Sequence, residues 1–262
     1  MNTDPKCESV TIDGMVMLNF LVPKRAIQTT FEDYTQNSVI PYLEQSLKTA
    51  ERLDVVNDTY HKNSLKKHTR DRRGTGVRLH KIHNRTKLPR DWKSFLRNDT
   101  NKSELILYLS TAVLSGMSKG GKLTVFTSGD HVRSVPEKYH LSLDPCNQEE
   151  ADTRIFLHIA DAAQVHKTFL IRTNDTDVLV LAIAFALKMN LQIFVSFGKL
   201  CYNARDIATK LGSNRCRAFM LFHAFTGSDT TSFFRSKGKK ICWAAWEQFH
   251  ELTPIFIKLT ES

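Results

Sequence analysis

The sequence predicts an α/β domain built on a mainly parallel sheet. Short runs of four to seven residues rich in Val, Ile, Leu or Phe recur along the chain, and longer helix-like stretches separate them. With 262 residues, 41% hydrophobic and 24% charged, the chain has ordinary globular composition and enough length to bury a sizeable core.

Taken in order, Ser9–Ile12 is the first strand-like run, and Asp13 follows it. A helix is expected over Phe31 to Ala50. Arg52–Val56 is the second run and ends at Asn57-Asp58. The segment from about 61 to 100 holds Gly74, Gly76 and Pro89 and little apolar periodicity, so it reads as an arch or insertion on the domain rather than a second core. Asn101 to Gly116 is helical, Leu123–Thr127 is a strand, and Glu150 to His166 is a helix. Thr168–Arg172 is a strand that runs into Thr173-Asn174-Asp175-Thr176-Asp177. Val178 to Met189 is a helix, Leu191–Phe197 a strand, Asn203 to Leu211 a helix. Ala218–Phe222 reads as a last strand, followed by His223-Ala-Phe-Thr-Gly-Ser-Asp229. Crossovers between parallel strands should be right-handed. The expected organisation is one domain over 1–240 and a helical, cut-short tail over 241–262.

Several classes are excluded. The longest apolar run, Val178 to Leu187, stops at Lys188, about half the length a membrane span needs. Asp4, Lys6, Glu8 and Asp13 leave no room for an apolar signal sequence. The cysteines at 7, 146, 201, 216 and 242 form no CxxC pair, which points to reduced thiols inside a cell.

Charge is unevenly placed. The net charge is +10, yet Lys62 to Arg97 alone carries thirteen Lys/Arg against Asp71 and Asp91, while the remaining residues carry 24 basic against 25 acidic. Such a block suits a phosphate-contacting surface, although a solvated basic loop or a localisation signal has the same composition.

In open parallel sheets, ligands sit beyond the carboxyl ends of the strands. Four of the predicted strands would deliver an acid there: Asp13, Asp58, Asp175 with Asp177, and Asp229. Glu150 and Asp152 open a helix beside them, with Glu150 expected at the N-cap. Any one of these acids could be a turn or cap residue, but capping does not explain the set. Crowded carboxylates repel one another, and magnesium or manganese relieves that repulsion through oxygen ligands. Two such ions can serve both oxygens of a phosphodiester displacement. Asp175-x-Asp177 suits this role if both side chains leave a strand end on one side.

Glu150-Ala-Asp152, Asn174-Asp175-Thr-Asp177 and Gly227-Ser-Asp229 resemble, in order and spacing, the acidic signature of the flap-endonuclease/XPG-type 5′ nucleases of the PIN-like superfamily. Ile12-Asp13-Gly14 and Val55-Val56-Asn57-Asp58 resemble the family's first two strands. The phrase His223-Ala-Phe-Thr-Gly-Ser-Asp-Thr-Thr is similar to one in Asteroid-like animal proteins. The resemblance spans Asp13 to Asp229. It implies a three-layer PIN-like fold with a basic helical or loop arch, and a nuclease acting on DNA or RNA with two Mg²⁺ or Mn²⁺ ions. Asp13, Asp58, Glu150 and Asp152 would serve mostly one ion, and Asp175, Asp177 and Asp229 mostly the second. Lys66 and Arg70 would clamp the scissile phosphate, within a nucleic-acid-binding run of Lys66, Lys67, Arg70, Arg72 and Arg73. An intracellular, nuclear monomer is expected, with no membrane and no nucleoside triphosphate.

The sequence departs from the family in three places. Asp152 replaces a Glu, Asn57 replaces a common aromatic, and Thr230 to Lys240 replaces a Gly-Ile-Gly element that grips duplex backbone. A degenerate copy that binds nucleic acid without cutting is the alternative. A small phosphorylated ligand is a third reading, and the size of the basic segment weighs against it.

Other signals are weaker. Gly116 to Lys122 nearly spells a phosphate-binding loop, but Leu123 takes the Ser/Thr position and the glycines precede a strand. His223 is expected in the core or at a helix cap, Asp130 in a turn, and Arg154 beside a carboxylate. Phe194, Phe197, Phe219, Phe222 and Phe225 read as core rather than as a base-stacking platform.

Overall fold

A computed structural model describes residues 4–60, 78, 81–117, 121–137, 143–228 and 231–260. The chain divides into two compact units, Met1–Thr173 and Asn174–Ser262.

In the first unit, β1 (Ser9–Asp13) is buried along its whole length. It leads into α1 (Gly14–Phe20), then α2 (Phe31–Tyr34), a π-helical turn (Thr35–Val39) and α3 (Ile40–Leu47). The helix expected over 31–50 is therefore three pieces in succession. β2 (Arg52–Val56) follows, then α4 (Trp92–Leu96), α5 (Asp99–Met117), β3 (Leu123–Ser128), β4 (His131–Val135), α6 (Ala151–Ala162) and β5 (Thr168–Arg172). The strands lie in the order β4-β3-β2-β1-β5. All neighbours are parallel except the β3–β4 hairpin. The fold is α/β with a mostly parallel sheet, as the alternation of runs predicts. β1 pairs Ser9 with Arg52 on one side and with Phe169 on the other. Because the chain leaves β1 toward β2 and returns to its other side at β5, the strand order reverses there, and this is where open sheets place ligands.

α6 packs on β1 and β2, and α5 on β3 and β4. Ile12, Leu53, Val55, Phe126, Leu109, Ile155 and Ile159 are fully buried. The distal part of the basic segment is core rather than arch. Trp92 stacks on Phe95 at 5.2 Å and meets Tyr34 at 5.0 Å, and its indole N–H donates to Leu18 O at 3.0 Å. Residues 61–77, 79 and 80 lie outside the described residues.

β2 also buries charge. Arg52 Nε and Nη2 donate to Asp54 at 2.8 and 3.0 Å, Arg52 Nη1 reaches Asp161 at 2.6 Å, and His158 Nδ1 lies 2.8 Å from Asp54 Oδ1. Burial raises the Asp54 carboxyl, but the Arg52 charge and the His158 and Arg52 hydrogen bonds outweigh it and hold the group below its usual range.

The second unit holds α7 (Thr176–Met189), the antiparallel hairpin β6 (Gln192–Phe197) and β7 (Leu200–Asn203), α8 (Ala204–Leu211), α9 (Ser213–Phe225), α10 (Lys239–Gln248) and α11 (Leu252–Thr260). Ala218–Phe222 is thus the middle of a helix, not a strand. The run contains no β-branched residue, and its apolar side chains keep helical spacing: Phe222 stacks on Trp246 at 4.6 Å, with Phe219 and Phe256 beside it. A short apolar run has the same pattern in a buried helix and a buried strand.

No helix among the described residues is long and apolar enough to cross a membrane. All five cysteines are free.

Candidate functional site

The first unit gathers acids where the strand order reverses. Asp13 ends β1 and is 8% exposed. Its Oδ1 caps α1 by accepting the N–H groups of Met15 and Val16 at 2.9 and 3.2 Å. Its Oδ2 accepts the Thr173 hydroxyl at 3.2 Å, from the residue after β5. Burial pushes this carboxyl up to about 6, the capping bonds from Val16 and Met15 oppose that rise, and the nearby charge of Asp58 adds to it.

Close packing at the next residue fixes this edge. A Cβ on Gly14 would lie 1.8 Å from Asn57 Oδ1, so only glycine lets the Asn57 side chain lie there. Asn57 receives the Thr127 hydroxyl as acceptor for its N–H at 2.7 Å and donates Nδ2 to Thr127 O at 2.9 Å. The end of β2 is thereby tied to the end of β3.

Asp58 is half-buried. Its Oδ1 accepts the Ala151 N–H at 2.8 Å, and its Oδ2 lies 3.4 Å from the Tyr60 hydroxyl. Glu150 is the N-cap residue of α6, as expected, but makes no side-chain cap bond; Asp58 supplies that bond. Asp152 lies in the first turn of α6. Arg154 is fully buried and donates to Gly129 O at 2.7 Å and to Thr59 Oγ1 at 3.3 Å. Burial lowers its affinity for its proton, while the charges of Asp130 and Asp144 act the other way. Asp130 sits in the β3–β4 turn.

In the second unit, Asp175 and Asp177 do not leave a strand end side by side. Asp175 is the N-cap of α7 and accepts the Asp177 N–H at 2.8 Å, and Asp177 is in the first helical turn. Asp177 Oδ1 lies 2.9 Å from His223 Nε2. His223 is therefore neither a core residue nor a cap, but the partner of a candidate metal ligand. The two are 46 residues apart, so no local pattern announces the pair. Lys239 donates to His223 O at 2.9 Å, to Thr226 Oγ1 at 3.3 Å and to Gly227 O; burial lowers its affinity for its proton, and the charge of Asp177 only partly opposes that.

Asp229 and the basic run Lys66, Lys67, Arg70, Arg72 and Arg73 lie outside the described residues. Among the described residues, no three His, Cys, Asp or Glu side chains are grouped so as to hold a metal ion. Asp13 and Asp58 lie near enough for the charge of one to act on the other, and magnesium is commonly held through one or two carboxylates and retains its waters. A carboxyl raised by burial and by a neighbouring carboxylate is a group whose charged form a cation stabilises.

No protein-family model, no curated protein and no solved structure matches the chain.

Proposed function

We propose that the chain is a metal-dependent nuclease of the PIN-like, flap-endonuclease type that hydrolyses phosphodiester bonds in DNA or RNA. The observation that carries this reading is Asp13: a buried carboxyl, raised to about 6, beside the charge of Asp58 at the point where the strand order reverses. A perturbed acid where open sheets place ligands is a candidate functional group.

In this reading Asp13 and Asp58 hold the first Mg²⁺ or Mn²⁺, with Glu150 and Asp152 alongside. Asp175, Asp177 and Asp229 are assigned to the second. A bound metal supplies neutralisation of phosphate charge and a more acidic water. The chain's own residues hold the ligands in place. Met15, Val16 and Thr173 fix both oxygens of Asp13, and the Ala151 N–H fixes Asp58. Lys66 and Arg70 are the proposed phosphate clamps, with Lys67, Arg72 and Arg73 extending the contact along the backbone. A nuclear monomer is the matching setting.

The second reading, binding without cutting, is favoured by a specific observation. Asp13, Asp58 and Asp175 each accept helix N-terminal N–H groups, and Asp177 is paired with His223. These acids have structural uses that need no metal.

Purified chain incubated with labelled single-stranded, flapped and hairpin substrates in Mg²⁺ or Mn²⁺ separates the two. The nuclease reading expects cleavage that chelator abolishes, that Asp13→Asn lowers by about 100-fold, and that Asp175→Asn with Asp177→Asn eliminates. Cleavage indifferent to chelator or to these variants overturns it. Salt-dependent binding without turnover establishes the second reading.

A further inference from the structure

Phe225 was expected in the core, yet it is 54% exposed at the end of α9, and Phe233 and Phe234 after it are 75% and 46% exposed. Phe225 and Phe234 meet edge-on with centroids 5.1 Å apart. Three exposed phenylalanines in one stretch leave apolar area in water that folding alone does not require.

The loop holds these rings in place. Gly227 has φ +106°, and a Cβ there would lie 2.6 Å from Phe233 Cβ. The backbone therefore folds tightly against Phe233 while its ring stays outside. Thr231 Oγ1 donates to Ala224 O at 2.7 Å and accepts the Ser228 N–H at 2.8 Å, and Lys237 N–H donates to Phe234 O at 3.0 Å. Lys239 closes the loop on the end of α9 through His223 O and Gly227 O.

Asp229 precedes Phe233 and Phe234, and the charge that follows them is positive. Arg235, Lys237, Lys239 and Lys240 fall within six residues, and no acid occurs from 230 to 246. Residues 231–240 are exposed throughout. Aromatic faces interleaved with cations form the surface that single-stranded nucleic acid binds, because every base has a face to stack and every linkage a charge to meet. In a duplex the base faces are already occupied by their neighbours, so such rings find partners only on unpaired bases.

We infer that Phe225, Phe233 and Phe234 form a base-stacking surface for single-stranded nucleic acid, with Arg235, Lys237 and Lys240 contacting its phosphates. The inference rests on nucleic acid being the substrate and names the strand form that is taken. It places recognition of unpaired strand on a loop of the second unit, the same stretch of sequence that carries Asp229, which is assigned to the second ion.

The test is fluorescence anisotropy of the full chain in chelator, so that cleavage plays no part. The probes are labelled oligothymidylate, oligouridylate and a blunt hairpin duplex. Phe233→Ala with Phe234→Ala should weaken single-strand binding about tenfold and leave duplex binding unchanged. Phe233→Trp should retain binding, which separates loss of stacking from loss of folding. Arg235→Gln with Lys240→Gln should reduce the salt dependence on single strands by about 1.4 in log–log slope. Unchanged single-strand affinity in the double Phe variant, or an equal loss on duplex, overturns the inference. So does Phe-dependent binding to phosphatidylserine vesicles with nucleic-acid binding unaffected. Wild-type chain that binds neither DNA nor RNA removes the proposed function as well, whereas binding indifferent to the Phe changes removes the stacking surface alone.

Discussion

Asp58 caps a helix that begins 93 residues further along the chain: its Oδ1 accepts the Ala151 N–H at 2.8 Å. The side chain at the end of β2 thus does for α6 what Glu150, the residue at the cap position, does not. An acid two residues beyond β2 fixes the start of the helix that follows Glu150 and carries Asp152.

Asp58→Ala should therefore lower stability by about 1 kcal/mol, the usual worth of a cap. Asp58→Asn keeps an acceptor oxygen and should cost less. The midpoint of urea unfolding measures both, and equal effects would show that the cap bond contributes little.

Gly14→Ala puts a methyl group where Asn57 Oδ1 lies, 1.8 Å away. Overpacking of this kind costs roughly 1–3 kcal/mol. Asn57→Ser frees the space, so the double variant should be more stable than the two separate costs imply, with a coupling above about 0.5 kcal/mol. Strict additivity would contradict the contact.

The charges buried on β2 set an acid limit. Asp54 is held below its usual range in the folded chain by Arg52 and His158, against burial. Its unfolded value is about 3.9, so its contribution is complete above that pH and is lost as pH falls through the folded value. Urea midpoints should drop steeply below about pH 4. Asp54→Asn should be less stable at neutral pH and should flatten that drop. An unchanged slope in the variant would place the acid limit elsewhere.

Trp92 tests the seating of the distal basic segment. Trp92→Ala removes a 7% exposed ring packed on Tyr34 and Phe95 and should cost about 3–5 kcal/mol. Trp92→Phe keeps most of the packing and loses the bond to Leu18 O, so thermal unfolding should fall between wild type and Trp92→Ala. Wild-type stability in Trp92→Ala would mean that the segment is not part of the core.

The parallel strands were legible in the sequence because a strand buried on both faces is a short run rich in apolar residues, as in Thr168–Arg172, whereas the half-exposed antiparallel strands β4 and β7 were not. Arg52 and Asp54 interrupt β2 without betraying it, since their neutralising partners His158 and Asp161 arrive from α6, more than a hundred residues away. Ala218–Phe222 misled for the converse reason: a helix buried by Trp246 and Phe256 shows the same run, and those partners also come later in the chain. At the site, Asp13 was legible as a strand-end acid. The pairing of Asp177 with His223 and the capping of α6 by Asp58 were not, because each joins distant segments and follows no local period.

Binding of Mn²⁺ followed by electron paramagnetic resonance tests the Asp13–Asp58 site most directly, because free Mn²⁺ loses its signal on binding whether or not any strand is cut. The full chain should take up Mn²⁺, and Asp13→Asn and Asp58→Asn should each weaken that uptake by about 10- to 100-fold. Uptake unchanged in both variants, or none in the wild-type chain, would contradict a metal centre at this pair.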